Sequence, residues 1–206
     1  MINHYNYPTL PSQKTKVLSS LTIFTYLTGL VVGAYAVSIG KDKIMADEFT
    51  VSQALAFGSR ELMIISFILA YIFMILLIWE RGPMKYIELR SLLLTIFFGL
   101  LISIIYVTKY YNEEMHFNMA GVMFIANLIF ILLTAHIFRG YLRHEPALHT
   151  YLFDGLVVIL VAAFILVNVY GVFETNRKTF IDDEIFATSE LVTIFSSLGV
   201  VYYLGF

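Results

Sequence analysis

The chain has 206 residues, of which 59% are hydrophobic and only 14% are charged, whereas soluble domains carry about 25% charged residues. This composition excludes a soluble globular protein and predicts a polytopic membrane protein. The 13 basic and 15 acidic residues provide no basic surface for nucleic acid. The absence of cysteine excludes disulfides, thiolate metal sites and a cysteine nucleophile.

Six apolar stretches of roughly membrane-spanning length follow one another along the chain. We expect helices, because a lipid-exposed backbone must satisfy its own hydrogen bonds and these stretches are too long and uniformly apolar for barrel strands. No domain boundary is visible, so the sequence predicts an all-α fold in which residues 1–206 form a single transmembrane domain, a six-helix bundle. The expected spans are about residues 17–40, 60–79, 91–108, 115–138, 152–173 and 184–206.

The charges between the spans predict the orientation of the bundle. An even number of spans places both termini on the same side, and the connections of that side carry seven basic residues against six on the other. Because basic residues favour the cytoplasmic side, we expect both termini in the cytoplasm. In this interpretation Arg81 and Arg90 are charges of a cytoplasmic loop.

Ionisable groups inside the apolar stretches are the first functional candidates, because each is costly in hydrocarbon unless it is paired or hydrated. Glu190 lies about one and a half turns inside the sixth span. Its carboxylate either is hydrated near the surface or lies inside the bundle beside a cationic or histidine partner. His116, at the start of the fourth span, is the natural partner, and Arg60 and Glu61 could close the mouth of the same polar cleft. The alternative for all three is an ordinary interfacial residue.

The remaining polar and small residues have structural interpretations. We expect Asn118, Asn127 and Asn168 to form hydrogen bonds between helices, and Gly29 with Gly33 to permit close helix packing. The spans show no row of polar residues of the kind a channel requires.

Nucleotide-binding, zinc-protease and serine-hydrolase motifs are absent, so we expect no catalytic residue, no metal and no cofactor. An enzyme that uses His116 as general base and Glu190 to orient it is the less favoured alternative, because no nucleophile or metal set supports it.

Several short motifs occur along the chain in an order that resembles that of a known family of membrane proteins. They are Val37-Ser-Ile-Gly with Phe57-Gly58, His116 followed four positions later by Ala120, Ser189-Glu190-Leu, and the aromatic ending Tyr202-Tyr-Leu-Gly-Phe206. In these the chain resembles the six-helix DRAM/FRAG/Sfk family, although Leu191 and Gly205 stand where that family has Trp and Asp. The resemblance implies that the protein acts on membrane lipids, that His116 and Glu190 take part, and that it resides in an endomembrane, lysosomal or plasma membrane.

The function predicted from the sequence is a non-enzymatic, multi-pass membrane protein that binds or acts on membrane lipids. It would serve lipid organisation, lipid remodelling or autophagy-type regulation. The expected site is an outer-side cleft between the second, fourth and sixth helices that contacts a lipid headgroup through His116, Glu190, Arg60 and Glu61. The alternative is a structural or accessory subunit of a larger membrane complex, since short loops leave many apolar faces for other membrane-protein subunits to cover.

Overall fold

The structure is a computed structural model that describes residues 11–39, 60–81, 86–107, 113–142, 147–172 and 180–205. These ranges contain six α-helices, which confirms the all-α prediction. The helices are α1 (Gln13–Ile39), α2 (Arg60–Arg81), α3 (Ile87–Val107), α4 (Glu113–Leu142), α5 (Ala147–Val172) and α6 (Phe180–Gly205). Most of them exceed the predicted spans by up to about a turn, because polar residues that flank an apolar stretch can continue its helix.

Five of the six helices contain a described stretch that is long and apolar enough to cross a membrane. These stretches are Gln13–Val32, Glu61–Arg81, Ile87–Ile105, Asn118–Arg139 and Leu148–Val167, in α1 to α5. In α6, the polar residues Ser189, Glu190, Thr193 and Ser196 interrupt the apolar sequence. The five apolar helices are compatible with an integral, multi-pass membrane protein.

Helices that follow one another in the chain run antiparallel and pack together, and α1 packs against α6 to complete the bundle. The side chains of Lys14, early in α1, and Glu80, late in α2, form an ion pair of 2.6 Å. The Ser19 hydroxyl donates to the Val201 carbonyl at 2.9 Å, which brings the start of α1 to the end of α6. We call this end of the bundle, where Arg139 of α4 also lies, the basic end. Glu190 lies nearer to the opposite end.

Apolar residues cover the outside of the bundle as well as its core. On α2, for example, Phe67 and Leu77 are completely buried, while Ile65 and Leu76 are about half exposed. A helix in a soluble protein would carry polar residues on the outward face. The bundle therefore has the two-sided apolar character of helices that lie in lipid.

Small residues allow α1 to approach its two neighbours closely. A Cβ atom added to Gly29 would lie 2.9 Å from the ring of Phe67 on α2. A Cβ added to Gly205 would overlap with the side chain of Ser19. The close packing predicted at Gly29 is therefore confirmed, whereas the surroundings of Gly33 lie outside the described residues.

Candidate functional site

A cavity of about 70 Å³ lies inside the bundle. Helices α1, α2, α3, α4 and α6 supply its walls, while α5 packs outside it against α4 and α6. The lining residues of α6 extend from Glu190 to Val201. The eleven steps from Glu190 to Val201, at 1.5 Å each, make this wall about 16 Å long. The cavity volume is smaller than the range of about 300–1,000 Å³ that is usual for small-molecule sites, so a ligand of that size would occupy the cavity only in part.

Most of the cavity wall is apolar and much of it is aromatic. Tyr26 of α1, Phe97 and Phe98 of α3, and Phe124 and Phe130 of α4 all line it. The rings of Tyr26 and Phe98 meet edge to face, with centroids 6.2 Å apart, and those of Phe97 and Phe98 meet at 5.0 Å. A wall of this kind suits a hydrocarbon chain and offers few groups to a charged solute.

Glu190 lies in the wall of this cavity and is only 3% exposed. Its burial agrees with a carboxylate inside the bundle, and not with one hydrated at the surface. A carboxylate removed from water is stable only when it is hydrogen-bonded or neutralised. Glu190 therefore marks a polar region within an otherwise apolar cavity.

Three further polar residues of the cavity wall lie on the same part of α6 and on the facing side of α4. The Asn127 amide on α4 donates to the Ser197 hydroxyl at 3.0 Å. The hydroxyls of Ser197 and Thr193 donate to backbone carbonyls one turn earlier in α6, each at 2.8 Å. We call Glu190, Thr193, Ser197 and Asn127 the polar patch. Since these hydroxyl hydrogens are directed to the backbone, the patch faces the cavity mainly with hydrogen-bond acceptors.

The structure brings one of the four predicted site residues, Glu190, to the cavity. Glu61 is exposed and is not part of the cavity wall. Arg60 is the first residue of α2 and His116 lies in the first turn of α4, but both side chains lie outside the described residues. The site is also wider than the cleft expected between the second, fourth and sixth helices, because α1 and α3 contribute walls.

The three asparagines differ in their positions. Asn127 forms the predicted bond between helices, to Ser197. Asn118 is exposed, and the side chain of Asn168 lies outside the described residues. A short polar row does occur on α6, where Glu190, Thr193 and Ser197 follow one another on one face at the helical spacing of three and four residues. Apolar residues continue that face towards the basic end, so the row does not cross the bundle.

Two buried arginines at the basic end were not foreseen as interior groups. Arg81 and Arg90 lie in helices, not in a loop, and each is only 1% exposed. The Nε group of Arg81 donates to the Leu204 carbonyl at 2.7 Å, in the last turn of α6, where cations are favourable. The guanidinium of Arg90 lies 5.8 Å from the ring centre of Phe130, which lines the cavity.

The described residues contain no group of three or more histidine, aspartate or glutamate side chains that could hold a metal ion. Compared with known protein families, curated proteins and solved structures, the chain matches none. The resemblance to the DRAM/FRAG/Sfk family therefore stays a prediction. What the structure shows of the site is its geometry: a largely apolar, aromatic wall and a patch that presents hydrogen-bond acceptors.

Proposed function

We propose that the protein is a non-enzymatic membrane protein that crosses the bilayer six times, with both termini in the cytoplasm, and binds a membrane lipid in its central cavity. The five long apolar helices support the membrane location. Helix α6 packs against α1, α2, α4 and α5. It can therefore cross the bilayer with polar side chains such as Ser189 and Thr193, because these are buried among other helices instead of facing lipid.

The observation that carries the lipid proposal is the combination of an apolar, aromatic cavity with an acceptor-rich polar patch on one wall. The hydrocarbon chain of the lipid lies against the rings of Phe97, Phe98 and Phe124. Binding is favourable because the chain fills empty space beside these rings and makes van der Waals contacts with them. The headgroup places a hydroxyl, amide or amine donor on Glu190 and Thr193. Charge-assisted hydrogen bonds to a carboxylate are strong in such a low-dielectric setting.

We propose that the site opens at the end of the bundle opposite the basic end, because Glu190 lies nearer to that end. Arg60 and His116 begin α2 and α4 at that same end. We propose that these two residues border the headgroup, as the sequence predicts, and that the exposed Glu61 contributes to the rim. In this role the protein organises or remodels lipids of the leaflet that faces away from the cytoplasm.

A lipid mass spectrum of the purified protein tests the proposal. Ala120→Phe adds a ring inside the cavity, because Ala120 lines it. Ala162→Phe is the matched control, because Ala162 lies on the exposed face of α5. We expect a lipid to co-purify with the wild-type protein and with Ala162→Phe, and to be lost from Ala120→Phe. Glu190→Gln should keep the hydrocarbon but weaken retention of amine-bearing lipids about tenfold, since a charged hydrogen bond becomes a neutral one.

Two results would contradict the proposal that a lipid binds in the cavity. Equal lipid content in the Ala120→Phe and Ala162→Phe variants would show that the lipid is bound outside the cavity. A wild-type protein that carries no lipid but co-purifies with a stoichiometric membrane protein would favour the accessory-subunit alternative. Native mass measurement in mild detergent separates these two results in one experiment.

A further inference from the structure

Glu190 is the one charged residue among the described side chains that line the cavity, and these include no lysine, arginine or histidine. The polar patch also presents its hydroxyl oxygens as acceptors, because their hydrogens are directed to backbone carbonyls. Glu190 has interactions of its own within the protein, but a carboxylate offers about four acceptor positions, so a ligand can share it. The cavity wall therefore attracts a positive group and repels an anion such as a phosphate or a carboxylate.

Aromatic rings of α1 and α3 line the cavity close to the level of the polar patch. The hydrogen bond between Ser19 and Val201 places these two residues at the same level of the antiparallel helices α1 and α6. Tyr26 follows Ser19 by seven residues, so it is level with Ile194 on α6. The ring of Tyr26 lines the cavity and meets that of Phe98, with centroids 6.2 Å apart.

A further ring at this level comes from α4. The Asn127 amide bonds to Ser197, which places these two residues at the same level of the parallel helices α4 and α6. Phe124 precedes Asn127 by three residues, so it is also level with Ile194. Four residues separate this level from Glu190, which is about 6 Å along the helix axis. Since aromatic rings attract cations within about 6 Å, a cation beside Glu190 has both a carboxylate and aromatic rings nearby.

From this we propose that the ligand of the cavity carries a single ammonium group and no phosphate, as a long-chain amine does. The inference rests on the proposed binding of a lipid in the cavity and specifies the class of lipid that the cavity selects. The nitrogen donates hydrogen bonds to Glu190 and Thr193. The methylene groups next to it share its positive charge and lie against the rings of Tyr26 and Phe124.

The size of the cavity favours the same class of ligand. Its volume is about 70 Å³. An ammonium group is close in size to a water molecule, whose share of the liquid volume is about 30 Å³. A phosphate ester is larger, and it would bring negative charge towards Glu190. A compact positive head therefore fits both the volume and the charge of the site.

The test compares dodecylamine, dodecanol, dodecanoate and dodecylphosphocholine, which share one chain length, as ligands of the full chain in non-ionic detergent. Binding is read by native mass spectrometry and by the thermal midpoint of unfolding. We expect dodecylamine to bind about tenfold more tightly than dodecanol, and the two anionic or phosphate-bearing probes to bind more weakly than dodecanol. Glu190→Gln should abolish the preference for the amine over the alcohol. Glu88→Gln removes an exposed carboxylate outside the cavity wall and should keep that preference.

Two further arms keep the result decisive. Phe124→Leu removes one ring and should lower the preference for the amine about threefold, so it serves if Glu190→Gln does not fold. Methylammonium should bind at least about tenfold more weakly than dodecylamine, because it has no chain to bury. Equal binding of methylammonium and dodecylamine would indicate a site for a free cation and would overturn the proposal.

Failure of this inference can be told apart from failure of the lipid cavity. If dodecylamine and dodecanol bind equally and Ala120→Phe abolishes both, the cavity binds a lipid but does not select an ammonium group. The same conclusion follows if Glu190→Gln and Glu88→Gln keep the same preference. If no probe binds, or if Ala120→Phe leaves the binding of dodecylamine unchanged, the proposed lipid cavity is itself contradicted.

Discussion

Replacing Gly29 by alanine is the most direct test of how closely α1 and α2 pack. A Cβ atom at this position would lie 2.9 Å and 3.0 Å from two atoms of the Phe67 ring. Phe67 is completely buried and its ring also contacts Tyr26, with centroids 5.3 Å apart. The ring therefore cannot move aside without disturbing its own packing. Either α1 and α2 must separate slightly, or Phe67 must leave its preferred position.

The magnitude follows from two opposing effects. Overpacking of a filled core costs about 1–3 kcal/mol. Alanine is a better helix former than glycine by about 1 kcal/mol. We therefore expect Gly29→Ala to lower the free energy of unfolding by about 0–2 kcal/mol. Gly99 on α3 is the control, because a Cβ there meets no atom within 4 Å. Gly99→Ala should raise stability by about 1 kcal/mol, so the two variants should differ by about 1–3 kcal/mol.

Thermal unfolding in detergent, followed by circular dichroism, measures this difference. For a chain of this size, each kcal/mol corresponds to about 2–4 °C in the unfolding midpoint. Adding Phe67→Leu to Gly29→Ala should recover part of the loss, and a double-mutant cycle would report the coupling between the two residues. If Gly29→Ala stabilises the protein as much as Gly99→Ala, the close approach of α1 and α2 at this position is refuted.

Two further predictions concern hydrogen bonds between helices. The Asn127→Leu and Ser197→Ala variants, alone and combined, should give a coupling free energy of about 0.6 kcal/mol and at most about 1.7 kcal/mol, the average and maximum for such bonds in a membrane bundle. A coupling near zero would mean that the two side chains do not interact. Ser19→Ala should lower the free energy of unfolding by about 1 kcal/mol, because it removes the 2.9 Å hydrogen bond to the Val201 carbonyl. Ser20→Ala is the control and should have little effect, because Ser20 lies on the exposed face of α1. Chemical unfolding of each variant would show the contrast, and equal effects at Ser19 and Ser20 would contradict the packing of α1 against α6.

Glu190 and Arg90 show how far polar residues can be interpreted from sequence. Glu190 stands alone in an apolar stretch, so its cost in hydrocarbon identifies it as a candidate without any structure. Arg90 stands at the border of such a stretch, where a charge normally faces water. Only the packing of α3 against α4 shows that its guanidinium turns inward onto Phe130. The burial of Arg81 could not be predicted from the sequence either, because its hydrogen-bond acceptor, the Leu204 carbonyl, is 123 positions away in the chain.

The sequence by itself determined the all-helical fold class, the six helices of the described residues and, within about a turn, where most of them begin and end. This was possible because a long apolar stretch and the need to satisfy its backbone hydrogen bonds can both be recognised from the local sequence. Only the tertiary structure decided which face of each helix lines the cavity, which polar residues meet there and which arginines are buried. In helices that are apolar on both sides, the outward and inward faces carry the same kinds of residue, so no periodic signal distinguishes them. That choice is made by the fit between helices, as at Gly29 against Phe67.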